Sequence, residues 1–178
     1  MAKDIETQAE ATTAELVIRH EIEAPRELVY KAWTEAEHLS QWWGPKGFLV
    51  GVARLELKPG GIFHYSIQAG DGPIMWGKFT YHTVSTPDRL VYTSSFSDPD
   101  ANTTRAPFSA TWPLEILNTL TLEEQDGKTI LTLRGGPTNA SAEEQRTFEE
   151  GIPSIQQGFA GTLEQLKSYL AKIQHQNQ

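Results

Sequence analysis

Residues 141–173, SAEEQRTFEEGIPSIQQGFAGTLEQLKSYLAKI, carry apolar side chains at Phe148, Ile152, Ile155, Phe159, Leu163, Leu166, Leu170 and Ile173. Intervals of three and four place these residues on one face of a helix. Ser141 followed by Glu144 forms a capping box, which marks the helix start. A helix running from there to Lys172 would be roughly 45 Å long, enough to cross a whole sheet. Gly151 and Pro153 oppose that continuity, because proline lacks a backbone donor and clashes with the preceding turn. The sequence therefore predicts a kink or break near Gly151, with the main helix beginning around Pro153.

Upstream of this segment the apolar period is two. Leu16, Ile18 and Ile22 mark a first strand that ends at Ala24-Pro25. Pro25 suits the first turn of a short helix carrying Leu28, Val29, Ala32 and Trp33. A second short helix runs from Glu35 through Leu39 to Trp42-Trp43 and stops at Gly44-Pro45. Strands follow at Phe48–Leu57, Ile62–Gln68, Met75–Ser85, Leu90–Ser97, Trp112–Glu124 and Lys128–Arg134. Between them lie turn signals: Lys58-Pro59-Gly60-Gly61, Gly70-Asp71-Gly72-Pro73, Thr86-Pro87-Asp88 and Gln125-Asp126-Gly127. Asp-Gly between alternating apolar runs is a strong hairpin signal. Residues 98–111 read as a long polar loop, and the glycines at 60–61, 70–72 and 135–136 as turn glycines. Consecutive strands joined by short turns are antiparallel, and one face of such a sheet must be covered. The long helix has the only apolar stripe large enough. The fold class is thus α+β: a curved antiparallel sheet of six or seven strands, two short helices after the first strand, and a long C-terminal helix over the concave face.

Alternation within the strands selects the covered face. Phe63, Tyr65 and Ile67 share one side, with His64 and Ser66 on the other. Phe79 and Tyr81 share a side, opposite Lys78, Thr80 and His82. Tyr92 and Phe96 join the inner wall, as do Leu114, Ile116, Asn118, Leu120 and Leu122, and Leu131 and Leu133 close it. Large aromatics with polar handles suit the wall of a ligand cavity. The candidate lining is Trp43, Phe63, Tyr65, Phe79, Tyr81, Tyr92, Phe96, Trp112, Asn118, Phe159 and Leu163. Asn118 interrupts an apolar face, and a buried amide needs partners. Of the adjacent Trp42 and Trp43, one is expected in the core or cavity and the other over the helix–sheet junction.

Composition removes several chemistries. The 178 residues suit one domain, and there is no cysteine, which excludes disulfides, thiol nucleophiles and cysteine-ligated metals. This fits a reducing compartment and a cytoplasmic location. A net charge of −8, with the 15 Lys and Arg scattered, repels phosphate backbones, so no nucleic-acid partner is expected. No apolar run approaches the ~20 residues of a membrane span. His20, His38, His64, His82 and His175 show no metal-ligand spacing; His64 and His82 are placed facing solvent. No nucleophile elbow, phosphate loop or dinucleotide loop occurs. No cofactor, metal or catalytic set is assigned. Residues 1–14 read as a flexible tail, 15–173 as a single domain and 174–178 as a short C-terminal tail. The sequons at Asn102 and Asn139 read as chance matches without export.

Ala24-Pro25, Val29-Tyr30-Lys31-Ala32-Trp33-Thr34 and Leu39-Ser40-Gln41-Trp42-Trp43-Gly44-Pro45 resemble the opening signature of a known family. So do the turn Lys58-Pro59-Gly60-Gly61-Ile62-Phe63 and the hairpin motifs Trp76-Gly77-Lys78-Phe79 and Pro87-Asp88-Arg89-Leu90-Val91. Gly158-Phe159 with Leu163, Leu166, Tyr169 and Leu170 resembles its final helix, where the aromatic is commonly Trp. The family is that named for activators of the heat-shock protein 90 ATPase, in its stand-alone bacterial form. It belongs to the START-like, pollen-allergen-like helix-grip superfamily (SRPBCC). The resemblance covers about residues 15–173, and implies a curved sheet gripping a helix around a deep hydrophobic cavity.

Superfamily members bind lipids, sterols, polyketides or plant hormones, and some are cyclases or hydrolases. The chaperone activator joins this domain to a second, amino-terminal one, for which this chain has no room. The first expectation is therefore binding of a small apolar ligand. A chaperone-linked or regulatory interaction protein, with Trp76 as candidate exposed contact or homodimer residue, stays open. So does a cyclase- or hydrolase-type enzyme using polar cavity residues.

Overall fold

The structure, a computed structural model, describes residues 15–176. Residues 1–14, read above as a tail, lie outside the described residues. The strands are β1 (Leu16–Ile22), β2 (Phe48–Leu55), β3 (Ile62–Ala69), β4 (Met75–Ser85), β5 (Arg89–Ser97), β6 (Thr103–Thr104), β7 (Ile116–Gln125) and β8 (Lys128–Pro137). The helices are α1 (Arg26–Thr34), α2 (Ala36–Trp42) and α3 (Ala142–Gln176). The sheet order is β1-β8-β7-β5-β4-β3-β2, all antiparallel, with two-residue β6 paired to β5. Register shifts at Val52/Arg54 and Tyr81/Thr83 are bulges, which add twist and help curl the sheet into a half-barrel.

The hairpin read from Asp126-Gly127 forms with both residues at positive φ, 54° and 79°, as a tight I′-type turn requires. Gln125 pairs with Lys128 across it. The alternation also holds: Leu16, Ile18, Phe63, Phe79, Tyr81, Tyr92, Leu120, Leu122, Leu131 and Leu133 are buried in one core.

The clearest difference concerns the long helix. α3 runs without interruption from Ala142 to Gln176, through Gly151 and Pro153 and four residues past the predicted end at Lys172. The capping box forms as read: Glu144 N–H donates to Ser141 Oγ at 3.1 Å, and Ser141 N–H to Glu144 Oε1 at 2.8 Å. Proline costs a helix interior ~3 kcal/mol. Phe148 on one side of Pro153, and Leu163, Leu166 and Leu170 on the other, are buried in the same core and hold both halves to one axis. Gly151 serves contact, since a Cβ there would stand 3.0 Å from the Trp112 ring.

Other expectations shift locally. β7 begins at Ile116, so Trp112 and Leu114 lie in the preceding loop, and Leu114 is exposed rather than inward. Pro113 has no N–H to give a ladder. Gly135 and Gly136 are not turn residues but sit inside β8, opposite Asn118 and Leu117. His64 lies on the outer side of the sheet but is buried. Loop 98–102 covers it: its Nε2 is 3.1 Å from the Asp98 carbonyl oxygen, and its ring stacks on Trp76 at 4.9 Å.

Candidate functional site

The chain leaves α2 at Trp43 in an extended conformation (φ −69°, ψ 143°), which sends the two adjacent tryptophans different ways. Trp42 is buried, with its Nε1–H donating to the Ala32 carbonyl at 2.9 Å. Trp43 enters the space between sheet and helix, edge-on to Phe79 at 5.3 Å and to Phe159 at 5.9 Å. Phe79 stacks on Tyr92 at 4.1 Å, making a flat aromatic wall on β4 and β5. The 43–45 turn is tied to α3, because Gln165 Nε2–H donates to the Gly44 carbonyl at 2.8 Å.

A cavity of about 190 Å³ lies in this space. Of the sequence-derived set, Trp43, Tyr65, Phe79, Tyr92, Trp112, Asn118 and Phe159 border it. Phe96 borders an adjoining cleft of about 170 Å³, together with Tyr65 and Trp112. A second adjoining cleft, about 260 Å³, opens between α3 and the 43–45 turn. Tyr65 borders all three spaces and so acts as their common partition. Phe63, Tyr81 and Leu163 border none of these three; each is buried in the core. Ser94 also borders the cavity, and its place between Tyr92 and Phe96 in the same alternation is the sequence signal that points to it. Phe108, Trp112 and Phe148 form an aromatic row, with centroid spacings of 6.1 and 5.6 Å, from the exposed 105–115 loop to the cavity wall.

The cavity is electrically neutral. Among the described residues bordering it there is no Asp, Glu, Lys, Arg or His. Burial pushes the Tyr65 phenol up to about 12, opposed in part by a hydrogen bond from Trp43. Burial raises Tyr92 well above the usual phenol range, with Tyr81 and Tyr65 adding to the shift. Both rings therefore stay protonated at ordinary pH. The polar side-chain groups of the bordering residues are two phenols, the Ser94 hydroxyl, the Asn118 amide and the indole N–H groups of Trp43 and Trp112. An aromatic wall with a few polar groups and no charge is chemically suited to a neutral molecule rather than an ion. No group of three or more His, Asp or Glu side chains placed to share a metal ion occurs among the described residues. No described helix is long and apolar enough to cross a membrane.

An antiparallel sheet curled around a long C-terminal helix, with a hollow left between them, defines a helix-grip protein. The model of the activator of Hsp90 ATPase homolog 1-like protein family matches residues 23–171, and the chain belongs to that family. No curated protein matches it. Among solved structures, it is similar to protein Ms6760 from Mycobacterium smegmatis: 27% identity, TM-score 0.72, over 89% of this chain and 91% of that one. A Staphylococcus epidermidis protein solved by NMR gives 26% identity and TM-score 0.72 over 90% and 91%. A Silicibacter pomeroyi protein of the same family, at 20% identity and TM-score 0.66 over 88% and 97%, shares the fold. This fold commonly binds hydrophobic ligands.

Proposed function

We propose that the protein binds a small apolar molecule in the cavity between the sheet and α3. The observation that carries this reading is the hollow itself: it is bordered by Trp43, Phe79, Tyr92 and Phe159, yet no side chain fills it. Well-packed interiors leave few voids larger than a water molecule, and a partly open hollow of about 190 Å³ walled by large aromatics offers apolar surface that a ligand would remove from water. The two adjoining clefts give room for a ligand longer than the central space.

The test is thermal denaturation against a panel of neutral apolar compounds, with Ile155→Phe as the filled-cavity control. Ile155 projects from α3 to the cavity and to the cleft beside Gly44, and it is half-buried, so a larger ring has space to enter. Binding compounds raise the wild-type midpoint by several degrees, as mass action requires, and leave the variant unmoved. A panel in which no compound shifts the wild type overturns the reading.

A further inference from the structure

We infer that the cavity selects a neutral molecule bearing a hydroxyl group, read by Asn118 and Ser94; this rests on the ligand-binding reading above. Asn118 is 6% exposed and sits on the inner face of β7, between Tyr92 on β5 and Gly135 on β8. Its Nδ2 donates to Ser94 Oγ at 3.0 Å and to the Ile116 carbonyl at 3.0 Å. A carbonyl only accepts, so the Ile116 contact fixes which end of the amide is nitrogen. Both amide protons are thereby used. Oδ1 has no partner among the described residues. Room for it comes from Gly135, where a Cβ would stand 2.6 Å from that oxygen.

Ser94 completes the pair. Having accepted from Asn118, its hydroxyl keeps its own proton free to donate. Both residues border the cavity, so at this point its wall sets a free acceptor beside a free donor. A ligand hydroxyl satisfies both, donating to Oδ1 and accepting from Ser94. An ether or ketone satisfies only Ser94 and leaves Oδ1 desolvated. A carboxylate is worse placed, since no bordering cation balances it and Oδ1 repels it. The recognised class is thus a compact apolar alcohol or phenol, and not a free fatty acid.

Calorimetric titration of the full chain at neutral pH with 2-naphthol, 2-methoxynaphthalene and 2-naphthoate tests this. The phenol is expected to bind about tenfold tighter than the methyl ether, with the carboxylate weakest. Asn118→Leu keeps the wall apolar and should bring phenol and ether within about twofold of each other. Ser94→Ala, a smaller change at a half-buried position, should reduce the preference several-fold and serves if the leucine variant does not fold. Equal binding of phenol and ether by the wild type overturns the hydroxyl assignment, as does a preference that survives both substitutions. Binding of none of the three overturns the hydrophobic-ligand reading itself.

Discussion

The two halves of α3 cover the same sheet in different ways. Leu163, Leu166 and Leu170, in the C-terminal half, are at most 1% exposed and belong to one buried cluster with Ile22, Trp33 and Leu39. In the N-terminal half, Ile152, Ile155 and Phe159 are only partly buried, and the cavity lies beneath Ile155 and Phe159. The composition differs accordingly. The packed half uses leucines at intervals of three and four. The hollow half contains Gly151, Pro153 and Gly158 and sets aromatics against the sheet. One helix thus covers the sheet in two ways: its C-terminal half anchors the grip, and its N-terminal half roofs a hollow.

The largest test of this division is a matched pair of truncations. Leu166→Ala, at a position with no exposed surface, removes packing on every side and should cost ~3–5 kcal/mol. Ile155→Ala, beside space that is already empty, should cost only ~1 kcal/mol. Denaturant unfolding measures both. Equal losses would show that the roof is packed as tightly as the anchor.

Gly77→Ala probes the partition between the hollows. A Cβ at residue 77 would stand 2.6 Å from Tyr65 Oη and 2.7 Å from Cζ, so the ring must move into one of the spaces it divides. We expect a loss of ~1–3 kcal/mol and weakened uptake of any apolar probe. Adding Tyr65→Leu should recover part of that stability, because the clash belongs to the pair. A fully additive double variant would place the strain elsewhere.

How much of this was legible follows the same division. Strand alternation and helix period found the sheet, the gripping helix and the buried leucines, because burial on one face leaves a periodic imprint. The same periodicity put Phe63, Tyr81 and Leu163 in the candidate lining, since it distinguishes inside from outside but not filled from empty. Local rules misread Gly135 and Gly151. Gly135 is a clearance for Asn118 and Gly151 a clearance for Trp112, each set by a residue at least 17 positions away. Alternation correctly sets His64 on the outer face but does not show that it is buried there. A cover from loop 98–102 has no period to read.

The smallest expected effect distinguishes the halves by pH. His20 lies on the inner face of β1, where its Nδ1 accepts from Lys167 Nζ of α3 at 3.0 Å. Burial lowers the His20 pKa below 6.5, Lys167 lowers it further, and Glu164 opposes both. The sign follows: above 6.5 the ring is neutral folded and unfolded, and the contact contributes in full. As pH falls from 6.5 through the lower folded value, the unfolded chain takes up the proton first and that stability is lost. The pair is partly solvated, so the loss should not exceed ~1 kcal/mol. It should appear in hydrogen exchange of the packed half of α3 before the roof half. Asp98 and Glu144, held below the usual carboxylate range by hydrogen bonds from Asn102 and Ser141, act in a separate, more acidic window. His20→Gln keeps an acceptor that does not titrate and should flatten the slope just below pH 6.5 while leaving the acidic fall intact. An unchanged slope would assign that pH dependence to groups other than the β1–α3 contact.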